Sequence, residues 1–238
     1  YPFENRDAFE PLPGILGKRR GYPADFIAEG LDQTRGWFYS LIVLGTALFG
    51  RAPYRNVIVN GTVLAEDGQK MSKRLKNYPD PMDVVGRYGA DALRYYLLSS
   101  PLLRGEDLNF SEKGVSEVEK KVLARLENVR TFYELYRTAD DASRTPESTH
   151  VLDRYILSRL GELARDITDG MERYELDVAS RPILHFVDDL STWYVRRSRD
   201  RFKGEDVADA AAARATLRHA LRELALLMAP FTPFYAEH

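Results

Sequence analysis

The stretch Asn56-Val57-Ile58-Val59-Asn60, followed by Glu66-Asp67-Gly68-Gln69 and then Lys70-Met71-Ser72-Lys73-Arg74, decides the fold. An apolar, β-branched run predicts a buried strand, and Asp-Gly predicts a turn. Two lysines, a serine and an arginine are thereby placed on a loop just beyond a strand of an α/β sheet. Binding sites of open α/β sheets lie in the crevice outside the strand ends. A cationic loop there suits a polyphosphate, because lysine brings a mobile point charge with three donors. Charge alone also fits an ordinary solvated basic loop.

Outward from this point the texture is mixed as far as Pro101 and helical beyond it. Asp25-Phe26-Ile27-Ala28 predicts a short strand. A helix from Gln33 to Phe49 follows, with Asp32 as its N-cap, and it is apolar nearly all round, as a buried helix is. Asn56 to Leu64 is the next strand. Asp80 and Pro81 open a further helix as N-cap and first helical residue. Ala90 to Ser99 forms another, ended by Pro101. Strand signals then vanish. Val115 to Tyr136 is a long amphipathic stretch, and Thr138 to Thr149 reads as a linker. Three apolar faces at helical spacing follow: Leu152, Ile156, Leu160, Leu163 and Ile167; Ile183, Val187, Leu190 and Tyr194; Leu217, Leu221, Leu224 and Met228. They predict an antiparallel bundle, with Pro182 near the start of its second helix.

Composition sets limits on partners. The chain has 238 residues, 44% hydrophobic and 29% charged, with a formal net charge of −2 and no cysteine. No global positive field points to nucleic acid, so RNA contacts have to come from local patches. Disulfides and cysteine-bound zinc are excluded. No apolar run is long enough to span a membrane, since Trp37 to Phe49 is too short. The chain lacks a starting Met and stops at His238 inside a helical stretch, so it is expected to be a piece of a longer protein.

Motifs narrow the reading further. Residues 70–81 read KMSKRLKNYPDP. This resembles the KMSKS signature of the class I aminoacyl-tRNA synthetases, in its KMSKR form. Arg74 stands where the commoner signature has Ser, and Lys76 where a Gly is common. The segment Glu29-Gly30-Leu31-Asp32-Gln33-Thr34-Arg35-Gly36-Trp37-Phe38 resembles the isoleucyl form of the region before that signature. Trp193-Tyr194-Val195-Arg196-Arg197-Ser198-Arg199 and Ala229-Pro230-Phe231-Thr232-Pro233-Phe234 resemble parts of the same enzymes' anticodon-binding region. The matches occur in the family's order, from about Tyr22 to the end.

The resemblance implies a fold and a division of labour. The fold is α/β plus all-α: residues 1–100 as the second half of a Rossmann-type catalytic domain with the KMSKR loop, 101–149 as a helical connecting region, and 150–238 as part of an anticodon-binding helical bundle. It implies that isoleucine attacks the α-phosphate of ATP, with Mg2+ expected, and that the adenylate then acylates tRNA(Ile). Lys70, Ser72 and Lys73 would be catalytic, with Met71 anchoring the loop by packing. Glu29, Gly30, Asp32, Gln33 and Trp37 would bind the aminoacyl-adenylate: Glu29 near the ammonium, Asp32 at the ribose hydroxyls, Gln33 orienting the adenylate and Trp37 as a wall for the aliphatic side chain. Helix capping competes for Asp32, and plain core packing for Trp37.

Arg196, Arg197, Arg199 and Arg201 would contact tRNA. The bland account is that they favour a helix C-terminus through its dipole. Trp193 is expected to pack in the bundle. His150, His185, His219 and His238 are widely separated, and none lies in an H-x-G-H setting. The chain is therefore expected to hold one half of the ATP site and to be inactive alone. The whole protein would be a cytoplasmic monomer with no membrane contact and no metal ligands in this chain. A valyl enzyme of the same architecture and a non-catalytic tRNA-binding helical module are the alternatives. The Asp32-to-Trp37 form argues against the valyl one.

Overall fold

A computed structural model describes residues 22–72, 74–139 and 146–238. The chain divides into two compact units, residues 1–62 with 101–108, and residues 63–100 with 109–238. The first division falls at Thr62, well before the change of texture at Pro101, and the segment after Pro101 returns to the first unit.

In the first unit, β1 (Ala24–Gly30) and β2 (Tyr54–Asn60) pair in parallel, with Ile27 opposite Val57 and Glu29 opposite Val59. Parallel neighbours need a crossover, supplied here by α1 (Trp37–Phe49). Ile27, Phe38 and Tyr54 form the small core. The predicted strand from Asn56 to Leu64 breaks at Gly61. Its N–H donates to the Leu102 carbonyl at 2.8 Å, and a Cβ there would lie 1.9 Å from the Glu106 carbonyl oxygen. Only glycine fits so close a backbone approach.

Two expectations for α1 are corrected. It starts at Trp37, not Gln33, because a 3-10 turn, Leu31–Arg35, comes first. Asp32 caps no helix; Gly36 occupies the N-cap position. Nor is α1 buried all round: Phe38 and Gly45 are its buried residues, while Trp37, Tyr39, Leu44 and Leu48 are half exposed or more. The apolar pattern is there, but among the described residues of this unit β1 and β2 offer a two-stranded surface to cover it.

The second unit begins with β3 (Val63–Leu64) and runs through α2 (Pro81–Tyr88) and α3 (Ala90–Leu98). Asp80 caps α2 as expected, its carboxylate accepting from the Met82 N–H at 2.8 Å. A two-residue strand, β4 (Leu108–Asn109), contradicts the loss of strand signals after Pro101; it is too short to show a period. Helix α4 (Glu112–Val118) continues through a π-helical turn, Glu119–Leu123, into α5 (Ala124–Tyr136).

The bundle follows: α6 (Val151–Glu172), α7 (Leu176–Asp188), a π-helical segment Asp189–Val195, α8 (Arg196–Lys203), α9 (Val207–Met228) and α10 (Pro233–Glu237). Its core contains Ile156, Leu160, Leu163, Ile167, Ile183, Val187, Leu190, Tyr194, Leu217, Leu224 and Met228, which are the predicted apolar faces; Leu152 and Leu221 are partly buried against it. Pro182 lies inside α7, six residues past its start. Part of the predicted linker, residues 140–145, lies outside the described residues.

Candidate functional site

The resembling residues of the first unit gather where β1 ends. The Glu29 carboxylate accepts from the Gly30 N–H at 3.0 Å and stays exposed. Asp32 accepts from the Gln33 amide at 3.3 Å, and Gln33 Oε1 accepts from the Trp37 N–H at 2.9 Å. Gln33, rather than Asp32, thus satisfies a donor at the start of α1. Gly30 has a close neighbour, since a Cβ on it would lie 2.6 Å from Asp32 Oδ1. A side chain at position 30 would push the carboxylate away. Trp37 is 50% exposed, which rules out plain core packing within this unit. Two carboxylates, one amide and one indole are therefore close in sequence just beyond a strand end.

In the second unit, the loop that follows β3 turns at Glu66-Asp67-Gly68, as its sequence predicts. The Ala65 N–H donates to the Gln69 carbonyl and the Gly68 N–H to the Ala65 carbonyl, with Gly68 at φ 80°. Lys70 then pairs back across Leu64. Met71 packs against the cluster of Val84, Ala92, Phe110 and Val115, which is the anchoring role expected of it. The Ser72 N–H donates to Asn77 Oδ1 at 2.9 Å, and the Ser72 carbonyl accepts from the N–H groups of Leu75 and Lys76. The backbone of Ser72 is used within the loop, so its hydroxyl is the group left to offer a ligand. Lys70 is exposed. Lys73 lies outside the described residues. A cleft of about 470 Å3 beside the loop is lined by Ala65, Met71, Lys76, Asn77 and Phe110, among others.

The arginine row of the bundle divides in two. Arg196, Arg197 and Arg199 are exposed on α8. The Arg197 guanidinium sits 5.4 Å from the centre of the Trp193 ring, which itself packs against Tyr155 with ring centres 4.4 Å apart. Trp193 packs on the bundle core as expected. Arg201 is different, and its expected place on the exposed row is corrected. It turns inward, its side chain 10% exposed, and donates to both oxygens of the buried Asp153 at 2.7 and 2.8 Å, as well as to Asp209. Four residues on from Arg197 should share its face, but Ser198, Arg201 and Phe202 point to the core and set the inner side of α8.

Asp153 also accepts from Ser148 Oγ and Tyr194 Oη, at 2.6 and 2.7 Å. Burial pushes its carboxyl up, yet the bonds from Arg201, Ser148 and Tyr194 outweigh burial and hold it below the usual carboxylate range. Sequence reasoning missed Asp153: 48 residues separate it from Arg201, and an acid in a helix's first turn is ordinary. His150 is locally bonded, its Nδ1 accepting from the Leu152 N–H at the start of α6. The Ala229-to-Phe234 motif forms the turn between α9 and α10. It is tied to α3 by Arg94, which donates to the Pro230 and Phe231 carbonyls, and by Asp91, which accepts from the Tyr235 N–H at 2.6 Å.

The chain belongs to the class I tRNA synthetases. Residues 12–111 match the family model for tRNA synthetases class I (I, L, M and V), and residues 153–238 match the anticodon-binding domain of tRNA ligase. Within the family, its relatives include isoleucine–tRNA ligases, which leaves the valyl alternative unfavoured. One from Chlamydia caviae is 48% identical over 243 residues, covering 100% of this chain and 22% of that protein. Another, from Chlamydia trachomatis serovar D, is 49% identical with the same coverage. The chain thus spans about a fifth of the length of these relatives.

Solved structures share the fold. Mycobacterium tuberculosis methionyl-tRNA synthetase in complex with methionyl-adenylate aligns with a TM-score of 0.72 at 24% identity, over 94% of this chain and 45% of that one. The LeuRS–tRNA–LeuAMS ternary complex of Agrobacterium radiobacter K84 aligns with a TM-score of 0.70 at 24% identity, over 90% of this chain and 27% of that one. The fold is accordingly the Rossmann-type half of a class I synthetase followed by a helical bundle.

Proposed function

We propose that the whole protein carrying this chain activates isoleucine with ATP and transfers it to tRNA(Ile). The observation that carries this reading is identity near one half, across all of this chain, to proteins named isoleucine–tRNA ligase. In this reading Glu29 faces the amino acid's ammonium, Asp32 the ribose hydroxyls, Gln33 the adenylate and Trp37 the aliphatic side chain, with Gly30 leaving room for the Asp32 carboxylate. Lys70, Lys73 and the Ser72 hydroxyl serve the phosphates. Charge develops there in the first step, where preorganised cations stabilise a transition state strongly.

Mg2+ enters as the counter-ion of the polyphosphate, and no residue of this chain is assigned to hold it. No group of three or more metal-ligating side chains occurs among the described residues. No helix among them is long and apolar enough to cross a membrane. The reading makes the whole protein a cytoplasmic monomer. Isoleucine-dependent exchange of pyrophosphate into ATP tests it. Exchange should occur with the whole protein and be negligible with residues 1–238 alone. Exchange that prefers valine to isoleucine would refute it.

Arg196, Arg197 and Arg199 are proposed to meet the phosphates of the anticodon stem-loop; Arg201, turned to the core, is not one of that set. Phosphate binding makes affinity fall linearly with the logarithm of salt concentration. Replacing the three exposed arginines by alanine should reduce the slope of log affinity against log salt by up to about one unit for each phosphate no longer neutralised. Filter binding of tRNA(Ile) to the whole protein at several salt concentrations measures it. Equal slopes would leave the three as solvating and helix-capping residues.

A further inference from the structure

We propose that Asn77 is the positioning residue of the KMSKR loop, a role resting on the adenylation reading above. Its side-chain amide makes two bonds to the segment that carries the signature. Oδ1 accepts from the Ser72 N–H at 2.9 Å, and Nδ2 donates to the Lys70 carbonyl at 3.2 Å. The N–H and C=O that it binds flank Met71. A residue on a neighbouring parallel strand pairs with just such a flanking carbonyl and N–H. Asn77 therefore stands in for a strand beside Met71, while Lys70 pairs across Leu64. A segment held in this way sends its middle side chain to one face, and Met71 packs into the Val84, Ala92, Phe110 and Val115 cluster.

A second observation points the same way. Lys76, immediately before Asn77, has φ 48°. Non-glycine residues take up this left-handed conformation only when their surroundings compel it. Here its N–H is bound to the Ser72 carbonyl, and the next residue is bound twice. Each of these bonds runs back to Lys70 or Ser72. The strain at Lys76 is maintained by the same bonds that fix those two residues, and Asn77 supplies two of them. Asn77 is itself partly buried, with both ends of its amide bound to the loop backbone. The amide acts through the loop and not on a reacting atom. It keeps Lys70 to Ser72 in one shape, so that no ordering of these residues is required as charge develops on the phosphates. The hydroxyl of Ser72 is kept available because the residue's backbone is already paired.

The test uses the whole protein with Asn77→Ala, Lys76→Gly and both changes together. Asn77→Ala should lower kcat for isoleucine-dependent pyrophosphate exchange by about tenfold, the effect expected from losing two neutral hydrogen bonds that order the loop. The KM for isoleucine should stay unchanged, and so should the near-ultraviolet circular dichroism. Amide hydrogen exchange at Ser72 should quicken at the same time. Lys76→Gly removes the left-handed strain and should recover part of the lost kcat in the double variant. Unchanged kcat in Asn77→Ala, or a lower melting temperature as the sole effect, would overturn the role of Asn77 and leave the adenylation reading intact. No isoleucine-dependent exchange in the unaltered protein would instead overturn the reading on which the role rests.

Discussion

Replacing Asp153 by alanine is expected to destabilise the helical unit by about 3–5 kcal/mol, the usual loss when one partner of a buried ion pair is removed. Asp153 has no exposed surface and receives bonds from Arg201, Ser148 and Tyr194. Without it the Arg201 guanidinium keeps only Asp209 as its charged partner in the cluster, and the Tyr194 hydroxyl keeps the longer bond to the Ala213 carbonyl at 3.4 Å. The residues so joined lie on α6, α8, α9 and the π-helical segment, so the loss is felt across the bundle. Urea denaturation followed by circular dichroism measures it, and a loss under about 1 kcal/mol would mean that water replaces the carboxylate.

The same cluster predicts a pH dependence. The carboxyls of Asp153 and Asp209 are both held low, the second chiefly by its bond from Arg201. A carboxyl whose folded pKa lies below its unfolded value, near 3.9, stabilises the fold above that value. Its contribution is lost as pH falls through the folded pKa. Stability should therefore decline on acidification below about pH 4, and Asp153→Asn should flatten that decline.

Much of the fold could be read from periodicity and caps, and the exceptions share causes. Ile156, Leu160, Ile183, Val187, Leu217 and Leu224 are all buried because helical spacing puts them on one side whatever the partner. Asp80 caps α2 because Pro81 fixes where that helix can begin. Asp32 fails as a cap because it lies inside a 3-10 turn that precedes α1, and such turns leave no periodic trace. The π-helical segment Asp189–Val195 is equally invisible to spacing; through it both Tyr194 and Val195 are buried. Apolar content made α1 look like core, yet composition records the need for cover and not what supplies it.

Motif resemblance is what proposes Glu29, Asp32, Gln33 and Lys70 for the site, and it could not tell an exposed arginine from a buried one. Arg197 lies exposed over Trp193, four residues before it, whereas Arg201 is drawn inward by the distant Asp153. Asn77 escaped for the opposite reason: its bonds are local, and an asparagine in a loop is too common to stand out.

Changing Lys73 to alanine in the whole protein is expected to lower the kcat of isoleucine-dependent pyrophosphate exchange by about 10²–10³, the range seen when one preorganised donor is removed from a transition state. Lys73 lies outside the described residues, so its assignment rests on its place in the KMSKR signature. Its charge is proposed to meet the pyrophosphate as that group departs, and the attraction strengthens as the α-phosphate bond breaks. An interaction made mainly in the transition state lowers kcat and kcat/KM together and leaves substrate binding little changed. The KM for isoleucine should therefore stay near its original value. Lys73→Arg keeps the charge but replaces a compact ammonium by a planar fork, so it should recover only part of the rate. Lys70→Ala is expected to have a smaller effect, because the Lys70 backbone is pinned through Leu64 and Asn77 while its side chain remains exposed. A raised KM for isoleucine with unchanged kcat in Lys73→Ala would remove Lys73 from the phosphate site and assign it to ground-state binding. An equal loss in Lys73→Ala and Asn77→Ala would mean that loop shape, rather than the lysine charge, limits the rate.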